Sequence, residues 1–343
     1  MRTIIFFCFS ILSFFIVNSC GDSPVETQIE PGRRDYEWTE DTIKVRKNDQ
    51  MFLSRIWGSS PNDIWAVGSA DTYLNTIWHY DGYLWKPDAI SKSITPASIW
   101  GLNKNNLWLG NTNSSFWKFD GNKWNEFSSH SLNGFDAVIN QSIHGVKENE
   151  TYAVGFADKF DDSKLTRIVM KYDGVKWNFV DIPQLAERFI EVAVEKSTNN
   201  VFINAERNST PLKPSYKYIL KGNELIEIAS SSETITLGII QDRVYHVIGK
   251  KIYKYNNNQL ELFKDFSSTN YAGRIWGRSE KDFFGLNWDF EIVHYNGSEL
   301  KGIYQVDYNA FISNAVIFPK DVFFLCHYFN TGINIVLHGK LKE

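Results

Sequence analysis

The sequence predicts an all-β fold in which one small unit is repeated around a ring, and three observations support this prediction. The pattern Asp-Gly-x-x-Trp occurs at Asp81–Trp85, Asp120–Trp124 and Asp173–Trp177. A hairpin pattern, two apolar runs separated by a Pro/Asn/Asp turn, precedes it, as in Ile56–Gly68. Short alternating runs are common, and no helical apolar period stands out. Four short strands per unit, repeated radially, is the arrangement of a β-propeller.

The second turn of each unit gives the number of units. Its turn residue recurs as Gly82, Gly121, Gly174, Gly222, Asn257, Gly297 and Gly339. Asn257 is the single exception to glycine, and Asn is the next residue that tolerates a left-handed turn conformation. We therefore predict a seven-bladed β-propeller with repeats of about 43 residues. Six or eight blades remain possible, because the fourth and fifth units match the pattern least well.

The ends of the repeat predict how the ring closes. The seventh unit reaches the last residue, Glu343, before its fourth strand. The segment Asp35–Val45 offers a spare strand, and Trp38, three residues after Asp35, gives it a pattern close to Asp-Gly-x-x-Trp. We predict that this N-terminal strand completes the last blade, which removes the exposed edges that an open ring would leave. Residues 35–343 would then form one propeller domain.

The first 34 residues have the features of a targeting segment and a tether. Arg2 precedes the uncharged run Ile4–Val17, which is shorter than the roughly 20 residues that span a bilayer. The sequence Val17-Asn18-Ser19-Cys20 resembles a lipoprotein signal-peptidase site. Residues 1–19 are thus predicted to be a lipoprotein signal peptide, with Cys20 as the lipidated residue. Ordinary secretion with cleavage nearby is the alternative.

Residues 20–34 would then be a flexible tether, because Pro and Gly are frequent there and apolar residues are few. Resemblance to lipoprotein sorting favours the outer membrane of a bacterial envelope, with the domain on either side of it. Of the three cysteines, Cys8 lies in the signal peptide and Cys326 alone lies in the domain. No internal disulfide is therefore possible, and the apolar surroundings of Cys326 predict a buried, inert thiol.

The balance of charge limits the class of partner. The formal net charge of −4 gives no support for nucleic-acid binding. We expect a monomer that contacts the membrane only through its lipid.

The hairpin Ile56–Gly68, followed by Ile77–Gly82, resembles the repeat of bacterial secreted and lipoprotein β-propeller proteins. The resemblance covers residues 36–343 and implies a fold but no single activity. The blades lack the Trp-Asp ending of WD40 repeats and the Gly-Gly pair of kelch repeats. Asp-Gly-x-x-Trp is similar to the Asp-box of sialidases, but His79, Lys118 or Lys171 replaces the expected hydroxyl residue. This departure disfavours sialidase chemistry.

Scaffold residues of a repeat recur, whereas site residues usually do not, and this difference selects candidates. Of the 12 tryptophans, only Trp288 lies outside the recurring positions and the closing strand. It falls between the second and third strands of blade six, which makes it the leading candidate for ligand contact. His79 and His294 share one repeat position and are therefore predicted to be structural.

The length of the connections points to one face of the ring. The longest links between second and third strands are 156–164 in blade three and 206–214 in blade four. The longest link between blades lies around 130–140. These connections all open on the same face, and function on propellers concentrates in such loops. The candidate ligand-binding residues are Trp288, Asp136, His130, Asp158, Phe160, Asp162, Arg207 and Tyr73.

The candidates do not form a recognisable catalytic set. Asp158, Asp161 and Asp162 could supply oxygen ligands to Ca²⁺, but their spacing lacks an EF-hand pattern, so no cofactor and no metal site are predicted. The sequence has no Gly-rich phosphate loop and no Gly-x-Ser-x-Gly elbow. It therefore favours a non-catalytic binding module for a glycan or an envelope protein. The alternatives are a carbohydrate-active hydrolase or lyase, with carboxylates such as Asp136 and Asp162, and an envelope assembly scaffold.

Overall fold

The computed structural model of the protein describes residues 32–45, 49–88, 90, 93–161, 163–207, 214–328 and 332–343. These residues contain 28 β-strands, which form seven antiparallel four-stranded blades around a central channel. The predicted seven-bladed β-propeller is thus confirmed, and six or eight blades are excluded. One parallel bridge, Ile240 to Gly277, also links the inner strands of blades five and six.

The strands follow in chain order. The first, β1, spans Tyr36–Ile43. Blade one contains β2 (Met51–Ser60), β3 (Asp63–Ala70), β4 (Ile77–Tyr80) and β5 (Trp85–Pro87), with a 3-10 turn at Tyr73–Asn75. Blade two contains β6 (Pro96–Asn103), β7 (Asn106–Asn111), β8 (Ser115–Phe119) and β9 (Trp124–Ser129). Blade three contains β10 (Ala137–Gly145), β11 (Thr151–Asp158), β12 (Leu165–Tyr172) and β13 (Trp177–Phe179). Blade four contains β14 (Glu187–Val194), β15 (Val201–Arg207), β16 (Ser215–Lys221) and β17 (Glu224–Ser231).

The remaining blades follow the same plan. Blade five contains β18 (Ile235–Ile240), β19 (Arg243–Ile248), β20 (Lys251–Asn256) and β21 (Gln259–Asp265). Blade six contains β22 (Trp276–Ser279), β23 (Asp282–Leu286), β24 (Glu291–Tyr295) and β25 (Leu300–Gln305). Blade seven contains β26 (Ala310–Ile317), β27 (Asp321–Tyr328) and β28 (Asn334–Leu341), and β1 is its fourth strand.

The recurring Asp-Gly turn joins the third and fourth strands. In blade one, Asp81 Oδ1 accepts the backbone N–H groups of Tyr83 and Leu84 at 3.0 and 3.1 Å. Gly82 takes a φ of 91°, a conformation that residues with a Cβ rarely adopt. Lys86 and these two N–H groups lower the pKa of Asp81 to about 2. The turn chemistry that marks the repeat in the sequence is therefore the chemistry that forms the hairpin.

The N-terminal strand closes the ring as predicted. β1 pairs antiparallel with β28 from Tyr36 opposite Leu341 to Ile43 opposite Asn334. The ring of Trp38 packs on Tyr304 of blade six, with 4.7 Å between centroids. Tyr36 Oη accepts a hydrogen bond of 2.6 Å from Arg278 of blade six. The closing strand thus holds the last blade together and also fastens it to the preceding blade.

The core consists of side chains packed between neighbouring blades, where the recurring tryptophans lie. Trp65 of blade one meets Trp124 of blade two edge to face, at 5.5 Å. Phe116 of blade two stacks on Trp177 of blade three at 4.2 Å. Such pairs stabilise the blade interfaces by about 0.5–1.5 kcal/mol beyond their buried area. Cys326 is buried in β27, and this burial raises the pKa of its thiol.

The recurring histidines are structural, as predicted. His79 Nε2 lies 2.7 Å from Asp63, and His294 Nε2 lies 2.8 Å from Asp282. Each pair joins the third strand of a blade to the first residue of its second strand, and His338 repeats the contact with Asp321 in blade seven.

The connections divide the ring into two faces. The links between second and third strands and the links between blades open on what we call the upper face; the two hairpin turns of each blade open on the lower face. No helix among the described residues has the length and apolar character needed to cross a bilayer.

Candidate functional site

Asp136, Asp158 and Phe160 come together on the upper face of blade three. The backbone N–H of Asp136 donates to the carbonyl of Asp158 at 2.9 Å. Asp136 Oδ2 accepts the backbone N–H of Phe160 at 3.1 Å. The carboxylate of Asp136 therefore fastens the connection from β11 to β12, while the ring of Phe160 is 80% exposed. Because β11 extends to Asp158, this connection is shorter than the sequence suggested.

His130 lies at the start of the link between blades two and three. Its Nε2 is 2.9 Å from Ser128 Oγ, and its ring edge meets Phe116 and Phe179. Partial burial lowers its pKa. These contacts orient the ring, and among the described residues they bring no second catalytic group to it.

Arg207 ends β15 and is held by a buried carboxylate. Its Nε donates to Glu187 at 2.7 Å, and the guanidinium lies over Tyr216 at 4.1 Å. Glu187 is fully buried and also accepts from Arg167 at 2.6 Å and from Tyr218 at 3.1 Å. Arg207 thus belongs to an ion-pair cluster that joins strands of blades three and four.

The candidate calcium ligands are only partly described. The described residues contain no group of three or more His, Cys, Asp or Glu side chains placed to hold a metal ion. Asp162 lies outside the described residues, as does Cys20. Asp161 Oδ1 accepts from the N–H and hydroxyl of Ser163 at 3.0 and 2.6 Å. The arrangement of Asp158, Asp161 and Asp162 as a set therefore lies partly outside the described residues.

Trp288 lies at the tip of a well-ordered turn between β23 and β24. Asn287 Oδ1 accepts the backbone N–H groups of Asp289 and Glu291 at 3.1 and 2.8 Å. The N–H of Trp288 donates to the carbonyl of Asn270 at 2.9 Å. The indole is 65% exposed.

The residue at the end of this turn has an unusual backbone conformation. Phe290 has a φ of 59° and is 48% exposed. A left-handed conformation is a genuine outlier for a bulky residue and costs about 1–3 kcal/mol. Its carbonyl accepts the N–H of Val306 at 2.9 Å and the side-chain amide of Gln305 at 3.2 Å. The turn is therefore fastened to the link between blades six and seven.

That link adds aromatic rings which the sequence analysis did not select. Tyr308 is 75% exposed, and Phe311 at the start of β26 is 41% exposed. We call Trp288, Phe290 and Tyr308, which lie on this turn and on the link bonded to it, the aromatic patch. The repeat does not single out Tyr308, because Phe135 likewise stands two residues before the first strand of its blade. Tyr73, which is also exposed on the upper face, lies apart from the patch in the 3-10 turn of blade one.

A second feature missed by the sequence analysis is the central channel. It encloses a cavity of about 570 Å³, lined by the inner strands of the seven blades. Two arginines line it, Arg55 of β2 and Arg274 just before β22, and Glu191 of β14 lines it as well. These side chains occupy one position of the repeat, which the pairing of the inner strands defines.

Comparison with known proteins places the chain among β-propellers. No protein-family model and no curated protein matches the sequence. Among solved structures, "YCF48 bound to D1 peptide" is similar with a TM-score of 0.60 and 12% identity, over 92% of this chain and 99% of that one.

Two further solved structures show the same fold. The propeller domain of Cps50 (Swd1) from Myceliophteria thermophila has a TM-score of 0.60 and 10% identity, over 86% of this chain and 98% of that one. The WD40 propeller domain of Doa1 has a TM-score of 0.57 and 12% identity, over 91% and 98%. At such identities the likeness shows the fold alone.

Proposed function

We propose that this protein is a non-catalytic binding module that captures a protein partner through the aromatic patch on its upper face. We also propose that a lipid on Cys20 anchors it to the outer membrane of a bacterial envelope. Propellers present rigid loops on a stable ring, and binding residues concentrate in such loops.

The observation that carries this proposal is the aromatic patch itself. Trp288, Phe290 and Tyr308 are all about half exposed or more, whereas most other large rings pack between blades. Large exposed aromatic side chains are typical anchors of protein interfaces. Because Asn287 Oδ1 accepts the N–H of Asp289 and Gln305 donates to the carbonyl of Phe290, the turn is held before any partner arrives, and binding would cost little ordering entropy.

One solved structure with the same fold has a peptide in its title. The solved structure whose title reads "YCF48 bound to D1 peptide" is a propeller of the same fold. It supports a peptide or protein as the class of partner, although 12% identity transfers no residue.

The test is partner capture by matched variants. Trp288→Ala/Tyr308→Ala should lose a partner that the unaltered protein captures from envelope extract. Tyr83→Ala is the matched control, since Tyr83 is 90% exposed but lies in a turn of the lower face. Equal capture by all three proteins would show that the aromatic patch is not the binding surface.

A glycan is the second candidate, and the surroundings of Trp288 favour it. The exposed indole has polar neighbours, and Asn270 Nδ2 donates to Asp289 at 2.6 Å beside it. An exposed aromatic face next to amide and carboxylate groups suits a sugar ring. A polysaccharide panel read for both binding and turnover separates the cases. Binding without product would support a glycan, whereas product would indicate the carbohydrate-active enzyme.

A further inference from the structure

The wall of the central channel contains one ring of equivalent positions. Blade one shows how these positions are defined. Trp57 of the inner strand pairs with Trp65 of the second strand, and the channel position, Arg55, lies two residues before Trp57. The same position in the seven blades is occupied by Arg55, Ser98, Ser142, Glu191, Thr236, Arg274 and Asn314. All seven residues line the cavity. We call them the channel ring.

The backbone is distorted next to this ring. In five inner strands a β-bulge directly precedes the ring position: Leu53/Arg55, Pro96/Ser98, Asn140/Ser142, Phe189/Glu191 and Ile312/Asn314. A bulge redirects the side chain that follows it. Blade six has another device, since Gly273 and Arg274 have φ angles of 90° and 69°. A left-handed arginine is uncommon, and the hydroxyl of the buried Tyr271 donates to its carbonyl.

Three members of the ring are used to join blades. Ser98 Oγ donates to the carbonyl of Asn140 at 2.8 Å. Ser142 Oγ accepts the N–H of Val192 at 3.2 Å. Glu191 accepts the N–H of Leu237 at 2.8 Å. These three contacts link blades two to five in succession, so they explain the ring residues of blades two, three and four as structural.

Arg55, Asn314 and Arg274 are not used in this way. Within the described part of the chain, neither guanidinium forms an ion pair, and the one hydrogen bond of the Arg55 side chain goes to the adjacent carbonyl of Ser54 at 3.2 Å. Asn314 uses its side-chain oxygen to accept the N–H of Ala315 at 2.8 Å, and none of the described residues accepts a bond from its amide nitrogen. The three residues belong to blades six, seven and one, which are consecutive in the ring.

The charges around Arg55 leave a local excess of positive charge. Burial lowers the pKa of Arg55, and the positive charge of Arg274 lowers it further. The negative charge of Glu191 raises it, but by less than either of these two effects lowers it. The channel carboxylates, Glu191 and Glu206, both belong to blade four, and Glu191 is already bonded to Asn204 and Leu237. Two like charges facing one cavity without a bound counter-charge disfavour each other.

We infer that the channel is a binding site for a small anion, held by Arg55 and Arg274 with Asn314 as an additional donor. The ligand is a carboxylate or phosphate group on a molecule that fits a cavity of about 570 Å³, a size typical of small-molecule sites. Guanidinium groups recognise such anions through paired hydrogen bonds, and the bonds are strong because both partners are charged. The inference goes beyond the proposed function, since it does not depend on the aromatic patch.

The test is calorimetric titration of the purified propeller with succinate and with inorganic phosphate at constant ionic strength. At least one of them should bind saturably, and the one that binds identifies the anion. Arg55→Gln and Arg274→Asn should each weaken binding by roughly tenfold or more, as expected for loss of a hydrogen bond to a charged group. Asn is chosen at position 274 because it tolerates the left-handed conformation, so this variant should fold and melt normally.

Lys176→Gln is the matched control, because it removes one positive charge from the exposed lower turn of blade three. Its anion affinity should equal that of the unaltered protein. Absence of saturable binding of both anions would overturn the inference. So would equal affinity in a folded Arg274→Asn variant, since binding would then not involve the channel arginines. The Trp288→Ala/Tyr308→Ala variant should bind the anion normally, which separates this site from the aromatic patch.

Discussion

Among single residues, Lys217 of β16 is the most unusual, because its amine is completely buried next to the channel wall. Its Nζ donates to Asn204 Oδ1 at 3.0 Å and to the carbonyl of Thr236 at 2.9 Å. Burial lowers the pKa of Lys217 to about 7, and the charge of Glu191 opposes this change. Burial and the charge of Lys217 also lower the pKa of the neighbouring His246 far below its ordinary value.

The lowered pKa of Lys217 predicts a pH dependence of stability. Between about pH 7 and about pH 10.4 the unfolded chain keeps the proton that the folded protein has lost. The free energy of unfolding should therefore rise with pH across this window, by up to about 1.4 kcal/mol per pH unit from this group. Below the window the amine is protonated in both states, and its contribution to the slope disappears.

Urea unfolding at a series of pH values measures this slope. Lys217→Met should lower the slope of unfolding free energy against pH by up to about 1.4 kcal/mol per pH unit between pH 7 and 10, which corresponds to one proton. Lys221→Met is the control, since Lys221 is exposed and its Nζ bonds to Asn258 at the surface. Identical slopes in the unaltered protein and Lys217→Met would contradict a neutral amine in the folded protein.

Residue-scale features could be predicted only where the repeat exposed them. Trp288 was selected because it breaks the pattern, and the structure shows only that it is exposed. His79 and His294 were interpreted as structural because they follow the pattern, and both bond to an aspartate of their own blade. Arg207 has a partner that the repeat does not indicate. Its partner Glu187 lies 20 residues earlier, and nothing in the spacing of the sequence indicates that the two strands bring them into contact.

At the scale of elements, the closing strand β1 predicts a sharp loss of stability. Deleting Tyr36–Val45 removes all eight pairs with β28 and the buried side chains of Tyr36 and Ile43. Truncating buried side chains of this size costs about 2–5 kcal/mol each, which approaches the total stability of about 5–15 kcal/mol of an ordinary domain. The deleted protein should fail to melt cooperatively and should aggregate through the exposed edge of β28.

A chain that begins at Gly32 is the control for this deletion, because it keeps β1 and the contacts before it. Arg34 of this chain still donates to Glu299 at 2.7 Å. Thermal melting followed by circular dichroism compares the two proteins. A cooperative melt of the deleted protein at the same temperature as the control would refute closure by β1.

The elements that form the channel show what the sequence could not reveal. Turn residues predicted the hairpins between the third and fourth strands of blades one to six, because turn chemistry is local. Gly339, predicted as the same turn in blade seven, lies instead within β28. The bulges before the channel ring depend on how an inner strand pairs with its neighbour, and a shift of one residue changes the direction of every following side chain. The sequence alone therefore could not show that Arg55 of β2 and Arg274, just before β22, line one cavity.

On the scale of the whole molecule, two independent features meet on the same side of the ring. The aromatic patch belongs to blade six and its link to blade seven, and the channel arginines belong to blades six and one. Blade seven, which the N-terminal strand completes, lies between blades six and one. The repeat predicts that a ring forms, but blades six and one come near each other only when blade seven closes the ring. The pattern of any single blade therefore could not predict that these two features lie close together.

Attachment to the membrane is a property of the whole molecule, and we expect it to depend on Cys20. If Cys20 carries the lipid, Cys20→Ser should move the protein from the detergent-extracted membrane fraction to the soluble fraction. The acyl chains hold a protein at a bilayer by about 0.8 kcal/mol per buried CH₂ group, and no residue of the propeller would replace them. Cys326→Ala is the control, because the buried Cys326 of β27 can carry no lipid and its loss should leave attachment unchanged. If Cys20→Ser stayed in the membrane fraction, the anchor would have to be assigned to a retained signal segment or to a membrane-bound partner, and the proposed surface for such a partner is the aromatic patch.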